Sequence, residues 1–216
     1  MQKLIDGIIH FQNNDFKNKV DLFKKLAKGQ NPIALFVTCS DSRVNPNLLT
    51  QTEPGEIFVL RNAGNIVPPP PHCGGEIATI EFAIEALGIS DVIVCGHSDC
   101  GAMKGILQPH MISSNMPNVL RWLKNAEAVR DIVTKESHKD PKTCLLTKTV
   151  EQNILTQIDN LKSHRFIQRH LDAGKIKIHG WYYRFESGDV LTYDSKSREF
   201  IPLVSKQVSY LEEEYA

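Results

Sequence analysis

Ile33-Ala34-Leu35-Phe36-Val37-Thr38-Cys39-Ser40-Asp41-Ser42-Arg43 passes from an apolar run straight into a polar turn. A short, nearly continuous apolar run of this kind is what a strand covered on both faces shows. Ile57-Phe58-Val59-Leu60 repeats it after the turn signal Glu53-Pro54-Gly55, and Asp91-Val92-Ile93-Val94-Cys95 repeats it again. Between these two runs, Ile77, Ile80, Ile84 and Leu87 mark one face of a helix that Gly88 can close. The alternation predicts an α/β fold with a mostly parallel central sheet and flanking helices.

Outward from this centre the signals weaken. Upstream, Phe16, Val20, Phe23 and Leu26/Ala27 recur at helical spacing and Gly29 can end the run, so residues 1–30 are expected to form an N-terminal helical arm of one or two amphipathic helices. Downstream, Pro117 to Val133 reads as one helix, and Val150, Ile154, Ile158 and Leu161 carry the stripe of another. Ile176 to Phe185 and Val190 to Tyr193 flank Ser187-Gly188-Asp189, a hairpin signal that extends the sheet antiparallel. Residues 31–216 are therefore read as a single domain following the arm.

Composition removes whole classes of function. Lys plus Arg equals Asp plus Glu at 25 each among 216 residues, so nothing draws the chain to nucleic acid. No apolar run approaches the roughly 18 residues of a membrane span. Lys3, Asp6 and Asn13 break up the apolar residues of the first fifteen, which argues against a secretory leader and for a cytoplasmic protein. The five cysteines are an odd number at low density and suit a reducing compartment where thiols stay free for metal.

The chemistry sits where the apolar runs end. In parallel sheets, residues just past the carboxyl ends of strands converge on the crevice that binds ligands. Cys39 occupies that position after the first run, and His97 and Cys100 of His97-Ser98-Asp99-Cys100-Gly101 occupy it after the third. Singly, each is better explained as a buried thiol or a satisfied core histidine. Together, two thiols and an imidazole suit zinc, and three protein ligands leave one position open, as catalytic rather than structural sites do.

Cys39-Ser40-Asp41-Ser42-Arg43, Phe58-Val59-Leu60-Arg61-Asn62-Ala63-Gly64-Asn65 and Gly96-His97-Ser98-Asp99-Cys100-Gly101-Ala102 with Lys104-Gly105 resemble, in order and spacing, the motifs of the β-class carbonic anhydrases. The resemblance is close over about residues 30–110. It implies reversible hydration of carbon dioxide to bicarbonate and a proton, with one zinc per chain on Cys39, His97 and Cys100. It also implies that Asp41 and Arg43 form the catalytic dyad governing the fourth metal position, held apart from the metal in an open form or ligating it in a closed one. Gln30 and Phe58 match substrate-pocket residues of the open, plant-like subgroup. Phe82 stands where that subgroup has tyrosine, and Gly101 can present its amide to sulfur or substrate. Phe36 replaces the tryptophan of the bicarbonate-regulated subgroup, so the open form is expected. Family members form even-numbered assemblies, so a homodimer or homotetramer is expected, with the arm lying across a neighbour. Two alternatives share the site: hydrolysis of carbonyl sulfide or carbon disulfide, and a non-catalytic scaffold stabilised by zinc.

Overall fold

In a computed structural model, residues 1–112, 114–136 and 144–203 are described. The arm comprises α1 (Gln2–His10), a π-helical turn at Phe11–Asp15, α2 (Phe16–Asn18) and α3 (Val20–Leu26), with Lys19 leaving helical geometry between the last two. No helical residue of the arm is buried. The expected stripe instead gathers locally: the Phe16 and Phe23 rings stack at 5.2 Å, and Phe11 meets Phe23 edge-on at 5.6 Å. Lys19 pairs with Glu53 at 2.5 Å.

The three apolar runs form β1 (Ala34–Cys39), β2 (Ile57–Asn62) and β3 (Asp91–His97), separated by α4 (Pro46–Thr50) and by α5 (Gly75–Glu81) with a π-helical turn at Phe82–Ala86. Every residue of β1 is buried, as a strand covered on both faces requires. Then follow α6 (Gly101–Leu107), α7 (Pro117–Leu123), α8 (Glu127–Glu136), α9 (Leu145–Lys162) and α10 (Arg165–Asp172). The described residues end with β4 (Lys177–Tyr183), β5 (Val190–Asp194) and β6 (Glu199–Pro202). Among the described residues the strands make one sheet in the order β2-β1-β3-β4-β5-β6. The first four are parallel and the last two antiparallel. The α/β architecture therefore agrees with the sequence reading, including the turn at Gly188, where φ is +76°.

Three readings are corrected. The helix expected from Pro117 to Val133 is two, α7 and α8, joined by a 3₁₀ turn at Lys124–Ala126. The stripe beginning at Val150 belongs to a helix that starts at Leu145. The sequence reading has no counterpart for α4, α6, α10 or β6, each of eight residues or fewer and so shorter than the window over which periodicity is read.

The register explains how distant residues meet. β1 lies between β2 and β3, with Cys39 opposite Asn62 and Thr38 opposite Cys95. Cys39 and His97 thus emerge at the same sheet end from strands about 4.8 Å apart, although 58 residues separate them in sequence (97 − 39). α9 presses against β3 and β4 at two glycines: a Cβ on Gly96 would lie 2.9 Å from Ile154 Cγ1, and one on Gly180 would lie 3.0 Å from Ile154 Cγ2. Close approach, rather than a turn, is what these glycines supply.

Gly96→Ala is therefore expected to destabilise the fold by about 1–3 kcal/mol through overpacking beneath His97. Chemical denaturation monitors it, and an unchanged midpoint would show that α9 does not set the position of β3.

Candidate metal centre

Cys39 closes β1, His97 closes β3 and Cys100 caps α6. Their ligand atoms all lie within 4.8 Å of one another, and the residues are 6%, 1% and 1% exposed. His97 Nδ1 stands 2.8 Å from the Ser98 carbonyl oxygen. A carbonyl can only accept, so Nδ1 carries the proton and Nε2 is left with its lone pair. Buried, Nε2 has no hydrogen-bond partner among the described residues. A buried polar atom left unpaired costs about 1–3 kcal/mol, and a metal ion shared with the two sulfurs would satisfy it. The donor set, two sulfurs and one imidazole nitrogen, fits zinc.

The sulfurs show the same demand. A hydrogen bond from Cys100 holds the Cys39 thiol down to about 4, against a smaller upward push from burial and with help from the Gly64 amide. The same contact, with burial, pushes Cys100 up. One proton is shared between two sulfurs; both become thiolates only when a cation supplies the opposing charge. Backbone donors already point at them. Gly64 N–H donates to Cys39 Sγ at 3.4 Å, and the Ala102 and Met103 amides favour the Cys100 thiolate.

The turn after β1 carries the dyad. Arg43 Nε and Nη2 donate to Asp41 Oδ1 and Oδ2 at 2.9 and 2.8 Å, and the Arg43 backbone N–H adds a bond of 3.0 Å to Oδ1. This fork holds the Asp41 carboxyl well below the usual carboxylate range. Asp41 Oδ2 nonetheless stays 4.0 Å from His97 Nε2. The guanidinium is braced on its other sides: Arg43 Nη1 donates to Asp99 Oδ2 at 3.1 Å, and its carbon lies 4.5 Å above the Phe185 ring. Lys104 takes the other Asp99 oxygen. Arg61, quoted in the motif but given no role in the sequence reading, donates to the Cys39 and Asp41 carbonyls at 3.1 and 2.7 Å and so ties the turn to β2.

Comparisons with known proteins agree with this site. The pattern of the family described as carbonic anhydrase matches residues 34–190. The carbonic anhydrase of Synechococcus elongatus is 48% identical over 200 residues, 92% of this chain and 74% of that protein. That of Pseudomonas aeruginosa is 45% identical over 204 residues, 94% of this chain and 92% of that protein. Among solved structures, the β-carbonic anhydrase CcaA superposes with a TM-score of 0.90 at 46% identity, covering 94% of this chain and 99% of that one. The chain belongs to the β-class carbonic anhydrases. Its reaction is the reversible hydration of carbon dioxide to bicarbonate and a proton.

Within one copy of this carbonic anhydrase the expected pocket residues do not all converge. Gly101 adjoins Cys100 at the start of α6, exposed and with open space around it. Phe58 pairs with Leu35 in register, four residues before Asn62, and so about 13 Å from the Cys39 end of the sheet at about 3.3 Å per residue. Phe82 is 49% exposed and packs on Phe58 with ring centroids 6.1 Å apart. Gln30 is exposed in the connection that enters β1 from the amino end. Phe36 is fully buried, with its ring edge-on to Trp181 at 5.9 Å.

The Asp41 shift fixes a pH dependence. A carboxyl whose folded pKa lies below its unfolded value of about 3.9 contributes stability above that value and loses it as the pH falls through the folded one. The stability difference between wild type and Asp41→Asn is expected to be constant from neutral pH to about 5 and to shrink below about 4. A difference that stays constant into acid, followed by denaturant titration, would remove the Arg43 fork as its cause.

Proposed function

We propose that carbon dioxide hydration takes place on one zinc ion held by Cys39, His97 and Cys100, with Asp41 and Arg43 controlling the position beside it. One observation carries this reading: the buried, unpartnered His97 Nε2 that shares its space with two sulfurs. When bound there, zinc supplies Lewis acidity that lowers the pKa of water enough to yield a nucleophile near neutral pH.

The protein side of the mechanism follows from the dyad. An ionised carboxylate can only accept hydrogen bonds. A water entering next to Asp41 must therefore turn a hydrogen toward Oδ2, leaving oxygen lone-pair density for the carbon of the substrate. Arg43 holds the carboxylate in that role by engaging both its oxygens, which supports the open form of the site. Asp99 and Phe185 in turn keep the guanidinium from following a product anion out.

The substrate is linear and apolar, and its walls come from elsewhere. Gln30, Phe58 and Phe82 lie toward the amino ends of the strands in their own chain, so their pocket role requires a neighbouring copy that presents them to the metal of this one. Gly101 contributes from within the chain. Exposed Leu4, Ile5, Ile8 and Ile9 on α1 make the arm a surface for such a copy. The β-carbonic anhydrases of Sordaria macrospora, 26% identical with a TM-score of 0.79 over 88% of this chain and 95% of that one, are tetrameric, which supports a homodimer or homotetramer here. No helix among the described residues is long and apolar enough to cross a membrane; five free thiols support a reducing, cytoplasmic setting. In this arrangement residues 1–30 serve assembly and residues 31–216 catalysis.

Stopped-flow hydration of carbon dioxide, with zinc content measured on the same samples, tests the roles. Cys39→Ser is expected to lose both metal and activity. Asp41→Ala is expected to keep zinc and lose turnover by about 10–100-fold. Full activity in Asp41→Ala would take the dyad out of the mechanism, and full activity without zinc would overturn the proposal.

A further inference from the structure

The segment Asn62-Ala63-Gly64-Asn65-Ile66-Val67-Pro68 reaches the Cys39 sulfur through the Gly64 N–H, and it is gripped along its length. Asn62 closes on Ile66, its side chain accepting from the Ile66 N–H at 2.7 Å and donating to the Ile66 carbonyl at 2.8 Å. From α7, Trp122 Nε1–H donates to the Ala63 carbonyl at 2.8 Å. From α9, Asn153 Nδ2 donates to the Gly64 carbonyl at 3.0 Å. Gln157 accepts from the Val67 N–H at 2.9 Å and donates to Asn153 Oδ1 at 2.9 Å, and Asn160 donates to the Val67 carbonyl at 2.9 Å. Asn153 and Gln157 are fully buried on a helix face that is otherwise mostly apolar.

The polarity of this ladder is forced. The Val67 N–H can only donate, so Gln157 must offer Oε1 there and its NH₂ to Asn153. Asn153 must then receive on Oδ1, and its own NH₂ is left for the Gly64 carbonyl. Trp122 acts on the other side. The Ala63 carbonyl and the Gly64 N–H belong to one planar trans peptide and point in opposite directions. An indole donor on that carbonyl therefore fixes the direction of the N–H, and by polarising the amide it strengthens the bond that the N–H makes. The two peptide planes flanking Gly64 are thus held by two different helices. Gly64 itself cannot be replaced without a collision, since its φ is +85° and a Cβ would lie 2.9 Å from Ala102 Cβ.

We propose that Trp122 and Asn153 are positioning residues for the metal: by gripping the two peptide planes around Gly64 they set its N–H on the Cys39 sulfur and thereby tune the charge that this sulfur passes to zinc. The inference rests on the zinc reading given above and adds residues far from the ligands in sequence. A hydrogen bond to a thiolate stabilises the sulfur lone pairs. Without it the sulfur lone pairs are raised in energy and the loop no longer fixes the sulfur in the place where it would meet the metal.

Wild type, Trp122→Phe, Asn153→Leu and Asn160→Leu form the test. Trp122→Phe keeps an aromatic ring and removes only the indole donor, and Asn160→Leu is the control, because Asn160 donates to the Val67 carbonyl and to Gln157 Oε1 and makes no bond to the two peptides flanking Gly64. Three quantities are read: the rate of zinc transfer to a chromogenic chelator, the sulfur-to-cobalt charge-transfer band of the cobalt-loaded protein, and the thermal midpoint. Trp122→Phe and Asn153→Leu are expected to release zinc about tenfold faster or more and to shift the band to lower energy. Asn160→Leu is expected to lower the midpoint and leave the other two unchanged. Should Asn153→Leu fail to fold, Trp122→Phe decides alone. Wild-type release and an unmoved band in Trp122→Phe would overturn the proposal, as would equal effects in Asn160→Leu. Wild-type protein that takes up neither zinc nor cobalt would instead overturn the zinc reading on which it rests.

Discussion

Two sulfurs and an imidazole nitrogen buried within 4.8 Å of one another form a group that protein atoms alone leave unsatisfied. One proton can sit between the sulfurs, but nothing among the described residues pairs with His97 Nε2. A divalent cation resolves all three demands together, and the surrounding structure is arranged to make that possible. The parallel pairing of β1 with β3 brings Cys39 to the end of the sheet where His97 emerges, and the turn into α6 returns Cys100 to the same point.

Around this centre the supports fall into a charged side and an amide side. On the first, Lys104, Asp99, Arg43 and Asp41 alternate in sign, each holding the next, so that the carboxylate nearest His97 is both ionised and directed. The second is neutral and buried. Helix α9 spends Asn153 and Gln157 on the chain from Gly64 to Val67 rather than on apolar packing, while Ile154 one residue further presses on Gly96 and Gly180. One helix thereby places the strand that bears His97 and the loop that supports Cys39. Buried amide networks are stabilising only when fully paired, and here each of the amide groups in the ladder has its partner.

Much of this was legible in the sequence because the signals were local. β1, β2 and β3 are short apolar runs bounded by turn chemistry, and the donor residues stand directly at their ends. Legibility failed where meaning depends on the partner. Asn153 and Gln157 look like polar positions of an amphipathic helix; only their burial against the 62–68 segment distinguishes them, and no spacing rule carries that information. Trp122 reads as an aromatic on a helix, and its indole donor acquires a role only from the Ala63 carbonyl facing it. Phe58 and Phe82 were read as pocket residues by resemblance. Within the chain Phe58 lies four residues from the Asn62 end of β2 and packs on Phe82, away from the Cys39 end of the sheet.

X-ray absorption at the zinc edge, on protein purified without added metal, addresses the central claim most directly. The account predicts one zinc per chain with two sulfur neighbours at about 2.3 Å and two lighter ones, of which one is imidazole. A preparation without zinc, or a first shell lacking the two sulfurs, would contradict it.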